Sequence, residues 1–156
     1  MERRTVWVPA AALILYLAGC SEANGNYYPT YADAVRANAV RRGWIPEFVP
    51  TSAYEIHEVH DVDTNMQRMR FRVPSSDVYA LTRTMIPQSL SQIHELQRSH
   101  TPPSLGVPWP RELESGGGNT TLRLFVISAS ENPTLCVAVD WQTGLMHAWT
   151  CSKPGN

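Results

Sequence analysis

The sequence predicts an α+β fold: a single small domain in which an antiparallel sheet carries helices packed on one face. Residues 56–61 and 67–73 lie on either side of a polar turn at 63–65, and in the second segment apolar residues alternate with arginines, which is typical of an early β-hairpin. Apolar runs at 121–127, 135–139 and 145–149 predict a C-terminal three-stranded meander. Segments with helical spacing lie between these strands, and we expect them to cover the sheet.

The first residues have the order of a secretory signal. Arg3 and Arg4 precede an apolar stretch at 6–17, which the small residues Ala18 and Gly19 follow. The apolar stretch is shorter than the roughly 20 residues that a membrane-spanning helix needs. We therefore treat residues 1–19 as a cleaved signal peptide and leave them out of the fold.

The tetrad Leu17-Ala18-Gly19-Cys20 resembles the lipobox of bacterial lipoproteins. This resemblance implies cleavage before Cys20, a diacylated sulfur, and an acyl chain such as palmitate on the freed amine. Ser21 resembles the residue that permits transfer to the outer membrane, which implies a lipid-anchored protein of the cell envelope that faces the periplasm. The alternative is an ordinary secreted protein in which Cys20 is a free thiol.

The mature chain is long enough for one domain. Cleavage leaves 137 residues with 11 basic and 13 acidic side chains, so no basic excess indicates a nucleic-acid partner. Residues 20–26 are small and polar after the cysteine and predict a flexible tether, which places the domain at 27–156.

Two cysteines remain after lipidation of the first. In an oxidising compartment Cys136 and Cys151 are expected to form a disulfide. If the last turn centres on Thr143 and Gly144, the two cysteines face each other across the hairpin. No CxxC motif is present, so the bridge is expected to be structural.

The helices and the long loop have local signals. Thr30 and Asp33 form the pattern of a capping box that begins a helix at 31–42, and Gly43 is suited to its C-terminal cap. Helices are also expected at 78–85 and 89–98. Four prolines and the run Gly116-Gly117-Gly118 predict an irregular surface loop over 101–119.

The centre of the chain carries a resemblance to a known family. RGWIPEFVPTSAYEI at 42–56, HDVDTN at 60–65 and Phe71 resemble a signature of the uncharacterised YbbD head domain family. The resemblance implies a common fold over roughly a quarter of the mature chain. It implies no catalytic residue.

One cluster contains residue types that bind metals. His57, Asp61 and Asp63 would share one face of a strand, whereas His60 would point to the other face. A zinc or calcium site needs several such donors at one point. The alternative is a polar strand face that forms ion pairs with arginines of the next strand. We predict no cofactor and assign no catalytic residue, since the known hydrolase and phosphate-loop motifs are missing.

The candidate binding residues are Trp109 and three arginines. Trp109 lies between two prolines, which could hold it exposed for a partner protein or fold it over the sheet as a lid. Arg68, Arg70 and Arg72 alternate with apolar residues, so one strand face could meet an acidic partner or could simply be solvated.

These observations favour a membrane-anchored, exported lipoprotein that is a non-enzymatic binding module with a protein partner in the envelope. Small lipoproteins without a catalytic motif resemble immunity proteins, whose partner is a secreted toxin. The alternative is an envelope hydrolase or metal-dependent enzyme that uses His57, Asp61 or Asp63.

Overall fold

The chain forms one antiparallel sheet in a computed structural model, which describes residues 23–63, 65–97, 109–114, 121–127 and 134–151. The order of the strands is β1-β2-β3-β7-β6-β5-β4, and neighbouring strands are antiparallel throughout. The strands are β1 (Ala23–Thr30), β2 (Tyr54–Asp61), β3 (Met66–Arg72), β4 (Ile86–Gln88), β5 (Arg123–Ile127), β6 (Thr134–Asp140) and β7 (Leu145–Cys151). The helices are α1 (Tyr31–Arg36), α2 (Ser75–Thr82), α3 (Leu90–Gln97) and α4 (Arg111–Glu114). The predicted α+β class is confirmed.

The early hairpin and the C-terminal meander both form where the sequence predicted them. β2 pairs with β3, and β5, β6 and β7 are consecutive neighbours. β3 then pairs with β7, which joins the two units into one sheet. Within the described ranges, no helix is long and apolar enough to cross a bilayer.

β1 is an edge strand that the sequence did not predict. Its pairing with β2 runs from Ala23 opposite Asp61 to Thr30 opposite Tyr54. Residues 23–26 therefore belong to the sheet, although we expected them in a flexible tether over 20–26. Backbone pairing with a neighbour holds this polar segment in place, and Pro29 is tolerated because an edge strand has one unpaired side.

Helix α1 begins as predicted and ends six residues earlier than expected. The capping box forms, since the Asp33 amide donates to Thr30 Oγ1 at 3.3 Å and the Thr30 amide donates to Asp33 Oδ2 at 3.0 Å. Asn38 adopts a left-handed φ of 60°, and the Ala39 amide donates to the Ala34 carbonyl. This is the geometry of a Schellman cap, so an asparagine ends the helix before Gly43 is reached.

The sheet buries apolar side chains on both faces. One core contains Phe71, Val137 and residues of α1 and α2, whereas the second contains Trp149 together with Ile93 of α3 and Leu113 of α4. The expectation that the helices pack on one face is therefore wrong for α3 and α4. The signal was the unbroken apolar run of β6, in which residues 134–139 are all buried, since such runs are typical of strands that are covered on both faces.

The predicted irregular loop over 101–119 contains a short helix. Pro110 precedes α4 and accepts a hydrogen bond from the Leu113 amide at 3.0 Å. A proline is well suited to the start of a helix because its φ is already helical and it has no N–H to satisfy. The rest of that loop lies outside the described residues.

The register of the last hairpin differs from the predicted one by two residues. Cys136 lies opposite Trp149, because the turn contains four residues rather than two. Asp140 Oδ1 accepts the amides of the next residues, Gln142 at 3.0 Å and Thr143 at 3.3 Å, and Gly144 takes a φ of 69°. An aspartate that caps its own turn in this way favours the longer loop.

The Cys136–Cys151 disulfide forms despite this shift. The two cysteines are diagonal neighbours on one face of the β6–β7 pair, and their Cα atoms are 5.8 Å apart. That separation is within the ordinary range for a disulfide. Both cysteines pack in the second core beside Trp149, so the bridge closes the hairpin from inside the protein.

Candidate functional site

The candidate site is one face of β1, β2, β3 and β7. Alternation along β3 places its three arginines on this face and Met69 and Phe71 in the core behind it. The register adds Tyr27, His57 and His147 in one row across the sheet, with Arg70 between the two histidines. We call this surface the arginine face; it comprises Tyr27, His57, Arg68, Arg70, Arg72, Trp109 and His147.

Trp109 closes one side of the arginine face. Its ring lies edge-on to Trp149 and His147, with centroid separations of 5.0 Å and 5.4 Å. The guanidinium carbon of Arg68 lies 4.0 Å from the centre of the Trp109 ring, which is a cation–π contact. Trp109 is partly buried and packs against the second core, so it occupies the lid position and still presents one ring face to an arginine.

The three arginines have different environments. Arg68 is only 7% exposed beneath Trp109. Arg72 is satisfied locally, because its Nε lies 3.0 Å from Glu55 Oε2 and its Nη1 donates to the Thr143 carbonyl at 3.4 Å. Arg70 is half-buried, and the part of the chain that the structure describes gives it no carboxylate; its Nε is buried without a hydrogen-bond partner.

The two histidines beside Arg70 are held neutral. Burial and then the charges of Arg70 and Arg68 lower the pKa of His147 from 6.5 to about 4. Burial and then Arg70 also lower the pKa of His57, against a smaller opposing effect of Glu55. His147 is 4% exposed, and no described residue hydrogen-bonds to its Nδ1. Glu55 opposes these charges at His57 and Asp140 opposes them at His147, but among the described residues no carboxylate forms an ion pair with Arg70 itself.

A buried polar cluster lies on the opposite face of β1 and β2. Glu58 is 1% exposed; its Oε2 lies 2.9 Å from His60 Nδ1, and its Oε1 accepts from Asn26 Nδ2 at 2.7 Å. Trp44 stacks on the His60 ring at 4.0 Å, and the guanidinium of Arg42 lies 4.7 Å from the Trp44 ring.

This cluster is an internal anchor for β1. Burial raises the pKa of Glu58, against the lowering effect of its hydrogen bonds from His60 and Asn26, and burial together with Glu58 raises the pKa of Tyr28. We did not predict the Glu58–His60 pair from the sequence, because we considered the histidines of this segment as metal ligands. Strand alternation was the signal that could have found it, since residues 58 and 60 of β2 share the face opposite His57.

The proposed metal ligands do not converge. Within the described ranges, no group of three or more histidine, cysteine, aspartate or glutamate side chains could hold a metal ion. The His57 ring contacts the ring of Tyr27, with a centroid separation of 4.5 Å. Asp61 is four residues beyond His57 in β2, which corresponds to about 13 Å in an extended strand. Asp61 Oδ1 instead accepts the amide of Asp63 at 2.9 Å, which closes the β2–β3 turn.

The family comparison covers the N-terminal part of this sheet. Residues 22–72 match the YbbD head domain. The resemblance seen in the sequence at 42–65 is thus confirmed, and it extends over β1, α1, β2 and β3. No curated protein and no solved structure matches the chain.

The YbbD head domain match divides the candidate residues. The three arginines of β3, His57 and the Glu58–His60 cluster all lie within it. Trp109, His147 and the disulfide lie outside it, on elements that complete the sheet after β3. The arginine face therefore combines a cationic strand from the matched region with aromatic residues that this chain supplies from its C-terminal part.

Proposed function

We propose that this protein is an exported lipoprotein, anchored through lipid on Cys20, that binds an acidic partner protein in the cell envelope through its arginine face. The order of charge, apolar stretch and small residues before Cys20 supports the anchor. The Cys136–Cys151 disulfide supports an oxidising compartment. We place the protein at the outer membrane, facing the periplasm.

The environment of Arg70 is the main support for the proposed binding role. A half-buried guanidinium without a carboxylate is costly, because the charge has lost part of its hydration and gained no partner. Arginine binds carboxylates through two parallel hydrogen bonds, so an aspartate or glutamate from another protein would supply what Arg70 lacks. His57, which is half-buried beside Arg70, adds a neutral imidazole that can hydrogen-bond to the same partner, whereas His147 on the other side is buried.

Aromatic residues give the arginine face further contact area. Tyr27 is exposed at its β1 side, and Trp109 borders it near Arg68. Tyrosine, tryptophan and arginine are the residues that most often contribute strongly to protein interfaces. The partner we propose is accordingly an acidic protein, either a secreted toxin or another envelope component.

A pull-down from native envelope extract tests the proposal. The bait is the mature domain with Cys20→Ser, in three forms: otherwise wild type, Arg70→Gln and Arg83→Gln. Arg83 is the matched control, because it is exposed at the end of α2 on the other side of the sheet. We expect one stoichiometric partner with the wild type and with Arg83→Gln, and loss of that partner with Arg70→Gln.

Two results would contradict the proposal. Equal recovery with Arg70→Gln would mean that the partner binds elsewhere. An empty eluate from the wild-type bait would remove the binding role and favour the alternative of an envelope enzyme.

A further inference from the structure

The first strand is fixed close to the proposed lipid anchor. β1 begins at Ala23, three residues after Cys20, and is paired with β2 along its whole length. The Asn26 side chain adds a 2.7 Å hydrogen bond to the buried carboxylate of Glu58. The start of β1 therefore cannot move independently of the sheet.

The remaining tether is short. Three residues span at most about 10 Å when fully extended. A lipid-modified Cys20 would consequently hold the end of the sheet at Ala23 within about that distance of the bilayer surface. A tether of this length leaves the domain little freedom to turn over.

The β2–β3 turn lies at that same end. Ala23 is opposite Asp61, the last residue of β2, and the turn residues Val62, Asp63 and Asn65 follow this pair before β3 begins. Val62 is 60% exposed at the tip, and Asp63 beside it is exposed. The β6–β7 turn, which contains Gln142, lies at the opposite end of the sheet, because Leu145 pairs with Arg72 at the far end of β3.

We infer that the tip of the β2–β3 turn, at Val62 and Asp63, contacts the phospholipid surface of the membrane and that the β6–β7 turn points away from it. This inference rests on the lipid anchor in the proposed function. It also sets the distance of the arginine face from the membrane. Arg70 is four residues along β3 from Met66, about 13 Å, and the tether adds about 10 Å. A partner would therefore bind Arg70 within roughly 25 Å of the bilayer. The partner class is thus an acidic protein that can approach the membrane surface.

Fluorescence quenching by lipid tests this orientation in the full acylated protein. Val62→Cys and Gln142→Cys each introduce one free thiol for a bimane label, since Cys136 and Cys151 are bridged and the Cys20 sulfur carries lipid. The proteins are reconstituted in phosphatidylcholine vesicles that contain a nitroxide-labelled lipid. We expect quenching at position 62 to be several-fold stronger than at position 142, whereas equal or reversed quenching would overturn the orientation.

A variant with a longer tether tests whether the short tether causes the orientation. Twenty glycine and serine residues inserted after Ser21 give a flexible connection with a typical reach of about 25 Å, so the difference between positions 62 and 142 is expected to disappear. Persistence of the difference would show that the short tether does not set the orientation. Intact mass and vesicle flotation report acylation separately: absence of acyl mass would overturn the lipid anchor itself, whereas acylated, vesicle-bound protein with equal quenching overturns only the orientation.

Discussion

Arg70 lies directly opposite His147 in the β3–β7 pair, and within the described residues neither Arg70 Nε nor His147 Nδ1 has a hydrogen-bond partner. A cation and a buried neutral imidazole are thus neighbours, and in the part of the chain that the structure describes no carboxylate is paired with this arginine. This arrangement has consequences for titration, for stability and for binding.

Neutralising Arg70 should raise the pKa of both neighbouring histidines. Arg70 is a cause of the lowered pKa of His147 and of His57, so Arg70→Gln should move both values upward. Arg83→Gln is the control, because Arg83 is exposed at the end of α2 and is not a cause of either shift. Histidine resonances followed by NMR across pH measure the effect, and unchanged values in Arg70→Gln would refute the electrostatic account.

Acid should destabilise the protein through His147. The imidazole is neutral in the folded state down to a pKa of about 4, whereas in the unfolded chain it accepts a proton near 6.5. The unfolded state therefore binds more protons between these values, and stability falls as pH falls from about 6.5 to about 4, by about 3 kcal/mol in total. Urea unfolding at pH 7 and pH 4 should show a smaller loss for His147→Gln, which cannot protonate; an equal loss would count against this source.

Gly144 should tolerate substitution less well than Gly43. Both have a left-handed φ, but a Cβ at Gly144 would lie 2.2 Å from the Val73 carbonyl oxygen, whereas a Cβ at Gly43 would meet nothing within 4 Å. We expect Gly43→Ala to cost about 1 kcal/mol from backbone strain alone and Gly144→Ala to cost more than about 2 kcal/mol. Chemical denaturation measures both, and similar costs would contradict the close approach of β3 to this turn.

The disulfide should contribute to the stability of the folded protein. It closes a loop with a sequence separation of 15, for which the chain-entropy model gives about 3 kcal/mol. Intact mass should rise by two hydrogens on reduction, and urea unfolding should show a corresponding loss of stability. No mass change would mean that the bridge is absent from the protein in solution.

The sequence predicted those parts of the fold that have a strong local signal. Alternation in β3 identified the hairpin and the face on which Arg68, Arg70 and Arg72 lie. β1 was missed because its first half is alanine, asparagine and glycine, which have little strand preference, and β4 because Pro87 indicated only a helix break. Both segments are edge strands, so their structure depends on the neighbour with which they pair.

The candidate site could be predicted only in part, for a related reason. Strand alternation places His57 on the arginine face without any tertiary information. The contact of Arg68 with Trp109 and the pairing of Arg70 with His147 join distant segments, and they depend on the position of β7 beside β3. No local sequence pattern predicts that β7 pairs with β3. The two-residue error in the predicted register of the last hairpin shows how one capping aspartate, Asp140, alters which residues pair.

The affinity of the recovered partner for the purified mature domain tests the central claim most directly. Loss of one member of a buried charge pair at an interface costs about 2–5 kcal/mol. Arg70→Gln should therefore raise the dissociation constant by at least about 30-fold, while Arg83→Gln should leave it unchanged. A dissociation constant for Arg70→Gln equal to that of the wild type would contradict the role of the arginine face.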